Sequence, residues 1–443
     1  VTERRIRVIR VCDAIMGSGK TSAAINYMNR YGETKKFIYI TPYIDETQRI
    51  KEGCPGLNFW VPRQDLKEYD FKKKNHFRVL VEEEKNISIT HKLASMLDKE
   101  TISLISEKKY TIIIDETVEV FEKVDISESD MSMITDSNWM TLAGTGGEDT
   151  IEYYEKNNEK VYQDGLYTEL FRTANTHRLI KTADKNDKET FWMWTLDDAL
   201  FTCSDEIFIL TYMFEHTMLR CYLQINGIPY RYIHIYRPDG KTYEFSDDEA
   251  TIPESVGTLS SKIHIFENDK LNDIGKNKHA LSYSWVSKQA KSKNGKLERV
   301  RKNIVCYFQY HCPKLSSSTR LWSTYNCGVP KLRAKGHYRS DLSFNSRATN
   351  NYRHRRLLAY CVNIFCNPNM MNYFRANNIK FSEDGYALST MIQWIWRSAI
   401  RDGKEIWIYI PSRRMRTLLK NWIKETEEQY RQYKENINEQ NTK

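Results

Sequence analysis

No run of apolar residues in this chain approaches the roughly twenty needed to cross a bilayer. The apolar runs are short, such as Thr111–Ile114 and Ile207–Leu210. A spanning helix is therefore not expected, and no membrane partner is called for. The first residues are charged (Glu3, Arg4, Arg5, Arg7) and run straight into a glycine-rich motif, without the apolar core and cleavage site of a secretory signal. A cytoplasmic protein is expected. Cysteine occurs nine times, yet no two cysteines have the spacing of a zinc knuckle, and the odd count argues against a complete disulfide framework. Cys306, His311 and Cys312 stand close enough in sequence to keep a metal site open beside the reading as ordinary thiols. Internal repeats are absent too.

What is present is a chain of 443 residues, 40% apolar and 28% charged, the profile of a globular protein. That length exceeds what one core usually fills, so two domains are expected. The net charge of +9 is unevenly spread. Residues 286–356 hold 17 Lys and Arg against two acids, Glu298 and Asp341, a local balance of +15 that leaves −6 for the rest. Basic charge gathered in one segment is the footprint of a protein that grips phosphates. The same segment interleaves Tyr307, Phe308, Tyr310, Trp322, Tyr325, Tyr338 and Tyr352, aromatics that could stack bases or fill a core.

The opening residues read as strand (Arg7–Cys12), small-residue loop (Ala14–Lys20), helix (Thr21–Arg30) and strand (Phe37–Ile40), the start of a parallel α/β sheet. Further buried strands are expected at Ile87–Ile89, Thr111–Ile114 and Ile207–Thr211. The stretch between Asp115 and Ile207 is longer than a simple crossover requires, and a helical insertion is expected at about 121–205. A second α/β series is expected from Arg231–Tyr236, Lys262–Phe266, Ile304–Tyr307, Leu357–Ile364 and Ile406–Ile410. Gly227, Pro229, Pro238, Gly240 and Pro253 break the pattern between the two series. The expected domains are 1–225 and 226–420. Beyond them, 421–443 reads as a polar helix fraying into a disordered tail.

Ala14-Ile-Met16-Gly17-Ser18-Gly19-Lys20-Thr21 matches a phosphate-binding loop with alanine in place of the first glycine. Small residues let consecutive backbone N–H groups curl around a phosphate, Lys20 adds charge at the β/γ-phosphates, and the Thr21 hydroxyl can ligate Mg²⁺. The strand Thr111-Ile-Ile-Ile ends in Asp115-Glu116. At such a strand end one acid, here Asp115, holds the metal, and its neighbour, here Glu116, can activate the attacking water. A guanine-reading Asn-Lys-x-Asp pattern is lacking, which excludes a small GTPase. Gln393, Arg397 and Arg401 are spaced by four on an expected helix from about Leu388, which would place them on one face. An arginine so presented to a cleft can stabilise charge on a transferred phosphoryl group.

Taken in order, these pieces resemble a superfamily 2 DEAD/DEAH-type helicase, closest to its phage-encoded and viral origin-binding-protein branches. After the loop, Ile40-Thr41-Pro42 resembles motif Ia and Ser88-Ile-Thr90-His91 motif Ib. Asp115-Glu116 stands as motif II, Leu210-Thr211-Tyr212 as motif III, Arg347-Ala-Thr349-Asn350 as motif V, and Gln393 to Arg401 as motif VI. The resemblance implies two tandem RecA-like domains with ATP and Mg²⁺ between them. It implies nucleic-acid contacts from Thr41, Thr90 and His91 in the first domain and Arg347, Thr349 and Asn350 in the second. It further implies a DNA helicase or translocase of phage-type replication or recombination, acting on single-stranded or forked DNA beside other replication proteins in a bacterial host cytoplasm. A terminase-like packaging ATPase and a remodelling ATPase that does not unwind are the alternatives. Three departures stand out: motif II reads Asp-Glu-Thr-Val, motif VI is one residue wide of the common pattern, and little sequence precedes the loop for an adenine-reading element.

Overall fold

The computed structural model describes residues 8–147, 150–160, 162, 165–182, 191–293, 295–346 and 351–442. The chain is α/β and divides into two compact units. One comprises Val1–Ile15, Gly19–Ala250 and Asn367–Phe381; the other comprises Met16–Ser18, Thr251–Cys366 and Ser382–Lys443.

The first unit is built on a seven-stranded sheet. Its order is Glu244–Ser246, Tyr230–Tyr236, Ile9–Asp13, Ile207–Thr211, Thr111–Asp115, Phe37–Thr41, Ile87–Thr90. Only Glu244–Ser246 runs antiparallel to its neighbour. A parallel sheet is covered on both faces, so its strands read as unbroken apolar runs. Phe37–Thr41 and Ile207–Thr211 are buried at every position. The registers pair Asp13 with Thr211, Leu210 with Asp115, and Thr41 with Thr90. The carboxyl ends of five strands therefore lie along one edge, where ligands bind in open α/β sheets. Helix Lys20–Tyr31 packs on this sheet through Ala23, Ala24 and Met28, a small-residue face that seats the helix close.

Two features of this unit depart from the pattern read in the sequence. Strand Tyr230–Tyr236, expected to begin the second α/β series, pairs in parallel with Ile9–Asp13 and so belongs to the first sheet. The inserted segment, expected to be helical, is instead built on a five-stranded antiparallel sheet. Its order is Phe121–Lys123, Phe191–Leu196, His177–Thr182, Ile151–Lys156, Met140–Gly146. Helices Glu128–Asp136 and Thr168–Thr173 close one face over Met131, Ile134, Phe171, Trp192 and Trp194. The aromatic and β-branched runs there favour pleated backbone. Phe191–Leu196 is buried on both faces, so the alternation that normally marks a strand is missing. A segment late in the chain completes this unit: Tyr373 and Phe374 of helix Pro368–Ala376 pack edge-on against Phe121 (5.7 and 5.8 Å), and the Lys380 carbonyl accepts from Arg220 Nη2 at 2.7 Å.

The second unit holds a four-stranded parallel sheet in the order Ile263–Phe266, Ile406–Tyr409, Leu357–Tyr360, Arg320–Ser323. Ile304–Tyr307, expected as a strand, lies inside helix Leu297–Tyr310, where Val300, Ile304 and Tyr307 form one buried stripe at helical spacing. Strand Arg320–Ser323, which carries Trp322 fully buried, takes the vacant place in the sheet. The polar C-terminal stretch forms no frayed tail over its described residues: helix Arg413–Thr442 is continuous. Among the described residues no helix is long and apolar enough to cross a membrane.

Candidate nucleotide site

The loop after strand Ile9–Asp13 takes its shape from two glycines. Gly17 and Gly19 have φ of +86° and +96°, conformations open to glycine and costly for residues with a Cβ. Gly19 stands at the N-cap of helix Lys20–Tyr31 and supplies no side-chain cap, so the first-turn N–H groups have no side-chain acceptor at the cap. Unpaired donors at a helix start favour an anion. Lys20 is nearly buried, and its ammonium donates to the carbonyls of Ala14 and of Ile15 (3.2 Å for the latter). Those carbonyls hold the ammonium inside the loop. The Ser18 hydroxyl is buried without a hydrogen-bond partner among the described residues.

Strand Thr111–Asp115 brings its terminal acid to the same edge. Thr21 Oγ1 donates to Asp115 Oδ2 at 3.3 Å, and Tyr39 Oη donates to the same oxygen at 2.7 Å. Burial, then the neighbouring Glu116 charge, raises the Asp115 carboxyl to about 6, against the opposing pull of Tyr39 and Lys20. A divalent cation would reverse that balance. Hard oxygen donors from Thr21 and Asp115, one hydroxyl and one carboxylate, suit Mg²⁺, which takes few protein ligands and completes its shell with phosphate and water. Among the described residues no cluster of three or more His, Cys, Asp or Glu could hold a metal by itself, Cys306, His311 and Cys312 included. Glu116 adopts φ +64°, while its N–H donates to the Leu210 carbonyl at 2.8 Å. Left-handed backbone at a non-glycine residue costs about 1–3 kcal/mol and concentrates at functional sites.

Two supporting residues escaped the reading of the sequence. Asp13 accepts from the N–H groups of Met213 (2.7 Å) and Phe214 (2.9 Å), tying the turn after strand Ile207–Thr211 to the root of the loop. Its carboxyl is raised by burial and partly restored by those two N–H groups. Tyr39 is fully buried with its hydroxyl on Asp115. A polar tip on a fully buried aromatic was the available signal, because such a hydroxyl needs a partner.

The remaining motif residues fall in several places. Thr41 is fully buried, its Oγ1 without a partner among the described residues. Thr90 caps helix His91–Ala94 by accepting from Leu93 N–H at 3.3 Å. His91 Nε2 donates to the Asp115 carbonyl at 2.8 Å, which joins the end of strand Ile87–Thr90 to the acid pair. Arg347, Thr349 and Asn350 lie outside the described residues. The shared helical face of Gln393, Arg397 and Arg401 is not formed. Helix Glu383–Ile395 carries only Gln393 and ends at its C-cap Trp396, and Ser398, with ψ −172° and its hydroxyl donating to the Ile395 carbonyl, starts the next turn. Arg397 follows that end, buried, and Arg401 sits on the 3₁₀ turn Ala399–Asp402. With the helix ended before Arg397, the four-residue spacing no longer places the three side chains on one face.

The basic segment also sorts into two classes. Arg320, Arg355 and Arg356 donate to main-chain carbonyls, and Tyr307, Phe308 and Trp322 are core. Lys288, Lys291, Lys302, Lys331 and Arg339 are exposed, as are Tyr310 and Tyr338.

Residues 257–423, which span the whole four-stranded sheet, match the family described as the YonV C-terminal Rossmann-like domain. The SPbeta prophage-derived uncharacterized protein YonV of Bacillus subtilis (strain 168) is 37% identical over 420 residues, 94% of this chain and 98% of its own length. Among solved structures, S. tokodaii Xpd4 is similar at 12% identity over 91% of each chain with a TM-score of 0.42. The DUF1998 helicase MrfA aligns at 10% identity, over 91% of this chain and 46% of its own, with a TM-score of 0.28.

Proposed function

The chain belongs to the YonV family, and on that footing we propose that it is a nucleic-acid-dependent ATP hydrolase, working as a DNA helicase or translocase in phage-type replication or recombination. The observation that carries the proposal is the convergence of Lys20, Thr21 and Asp115 at the carboxyl edge of the seven-stranded sheet, with the Thr21 hydroxyl 3.3 Å from the acid. In this reading Lys20 leaves the Ala14 and Ile15 carbonyls to bind the β- and γ-phosphates, and Thr21 and Asp115 hold Mg²⁺. Bound Mg²⁺ neutralises phosphate charge. Glu116 accepts a proton from the attacking water, and Asp13 and Tyr39 keep the loop and Asp115 in place. Exposed cations of segment 286–356 support a polyanionic partner, and the exposed Tyr310 and Tyr338 support single-stranded DNA. A remodelling ATPase that does not separate strands is the second reading, favoured by the helix end at Ile395, which takes Arg397 and Arg401 off the helical face read in the sequence.

The test is ATP turnover by the full chain with no nucleic acid, single-stranded DNA, duplex DNA and RNA, followed by strand displacement on forked DNA. Turnover stimulated by single-stranded DNA and abolished in Lys20→Ala is the expected result. Undiminished turnover in that variant overturns the site. Stimulation without displacement selects the second reading.

A further inference from the structure

The phosphate loop has a neighbour that none of the motifs includes. Between strands Tyr230–Tyr236 and Glu244–Ser246 the chain makes a hairpin, and its last residue, Tyr243, lays its ring on the loop. A Cβ at Gly19 would stand 2.1 Å from Tyr243 Cδ1, so the ring occupies the space that glycine leaves open. The Arg237 guanidinium lies over the same ring, 4.9 Å from its centroid. The hairpin is held from both sides. Asn26, on the loop helix, donates through Nδ2 to the Tyr243 carbonyl at 2.9 Å. Asp239 gathers the turn by accepting from the N–H groups of Lys241 and Thr242 (2.8 and 2.6 Å) and from the Thr242 hydroxyl (2.7 Å), while Arg237 donates to the Gly240 carbonyl.

Sheet order gives this hairpin its meaning. Thr21 and Asp115 mark the direction in which the terminal phosphate points, toward strand Thr111–Asp115. The hairpin strands lie on the other side of Ile9–Asp13 in the same sheet. A triphosphate wrapped by the loop with its γ end at Asp115 sends its nucleoside toward Tyr243 and Arg237. There the partly buried Tyr243 ring and the planar Arg237 cation over it would offer a stacking surface. We propose that Tyr243 and Arg237 receive the base of the bound nucleotide, with purines favoured for their larger stacking area. This inference rests on the nucleotide site proposed above and adds to it the element that recognises the nucleoside, from a part of the chain well after the loop.

Isothermal titration of the full chain with MgATP, MgCTP and inorganic triphosphate tests it. Tyr243→Ala weakens MgATP binding by about 5- to 150-fold, the range of one base–aromatic stack. It leaves inorganic triphosphate, which has no base, within about twofold, because phosphate binding is supplied by the loop. Tyr243→Phe keeps the ring and binds MgATP like the unaltered chain, which separates stacking from misfolding. Unaltered protein prefers MgATP to MgCTP, and Arg237→Ala narrows that preference. Equal loss of MgATP and inorganic triphosphate in Tyr243→Ala overturns the proposal, since the ring then only props the loop. So does unchanged or tighter MgATP binding, the latter marking the ring as a plug. Failure of the unaltered chain to bind any of the three, or binding indifferent to Lys20→Ala, overturns the nucleotide site itself.

Discussion

The two parallel sheets share an architecture and differ in what stands at the carboxyl ends of their strands. In the seven-stranded sheet those ends carry Asp13, Asp115 with Glu116, and Thr41, with Lys20 and Thr21 one loop away. In the four-stranded sheet they carry Phe266, Ser323, Tyr360 and Tyr409, and the first acid beyond, Glu267, is neutralised by Arg416 and Lys420 at 3.1 and 2.9 Å. Ionisable groups in the first sheet are held off their ordinary behaviour by burial, Asp115 above all. Those of the second are mostly solvated cations or guanidiniums spent on backbone. A parallel sheet thus supplies a platform, and the residues just past its strands decide whether the platform does chemistry or presents charge.

The contrast can be broken most decisively at Lys20. Lys20→Ala is expected to lower ATP turnover by at least about 100-fold, the cost of deleting a preorganised electrostatic partner, while circular dichroism is unchanged and DNA binding persists. Loss of DNA binding in that variant would mean the two regions are not separable. Asp115→Asn is expected to cost turnover on the same scale and to remove its Mg²⁺ dependence.

The same substitution sharpens the electrostatic half of the comparison. The folded Asp115 carboxyl, at about 6, lies above its ordinary value, so the folded state binds more protons than the unfolded one in between. Stability from this group is therefore greatest at low pH and is lost as pH rises from about 4 to about 6. Without nucleotide or Mg²⁺, Asp115→Asn should melt higher than the parent at pH 7.5 and equal to it at pH 4. Thermal melts at both values check this, and a lower melting point at pH 7.5 would refute it. With Asp115 in the proposed role, the acidic limb of turnover should fall below about pH 6 in the absence of saturating Mg²⁺.

A smaller effect is expected in the basic region. Lys288→Glu with Lys291→Glu, both exposed on helix Tyr283–Lys291, should weaken single-stranded DNA binding by about tenfold at low salt and flatten the salt slope by between one and two. ATP turnover without DNA should not change, and a fluorescence titration across salt concentrations reads the slope. The smallest effect belongs to Tyr39→Phe. Removing a hydroxyl that holds the Asp115 charge should move the acidic limb upward by under about one pH unit, seen in a pH–rate profile. A limb that does not move would show that Tyr39 serves only to fill the core.

The loop and the acid pair were legible because each is a local object. Gly17 and Gly19 act through backbone angles set within a few residues, Lys20 and Thr21 follow them directly, and Asp115-Glu116 closes a short run of β-branched residues that forms a buried strand. The inserted sheet was not legible, because a strand buried on both faces, as Phe191–Leu196 is, has no alternation to read. Ile304–Tyr307 misled in the opposite direction, since a short apolar run fits a strand or a helix stripe equally. The Gln393–Arg401 row does not share a helical face because the helix ends at Ile395, a boundary that four-residue spacing does not encode.

By itself, then, the sequence determined the α/β class, the glycine-shaped loop after the first strand and the position of the two acids at a strand end, all consequences of short-range stereochemistry and apolar patterning. Only the tertiary structure decided which strands are neighbours, and with that the placement of Tyr39 and Asp13 as supports, of His91 against the acid pair, and of Tyr243 on Gly19. Strand order and register set these contacts across tens to hundreds of residues. They follow from how the whole sheet buries its two faces, which no local window of sequence contains.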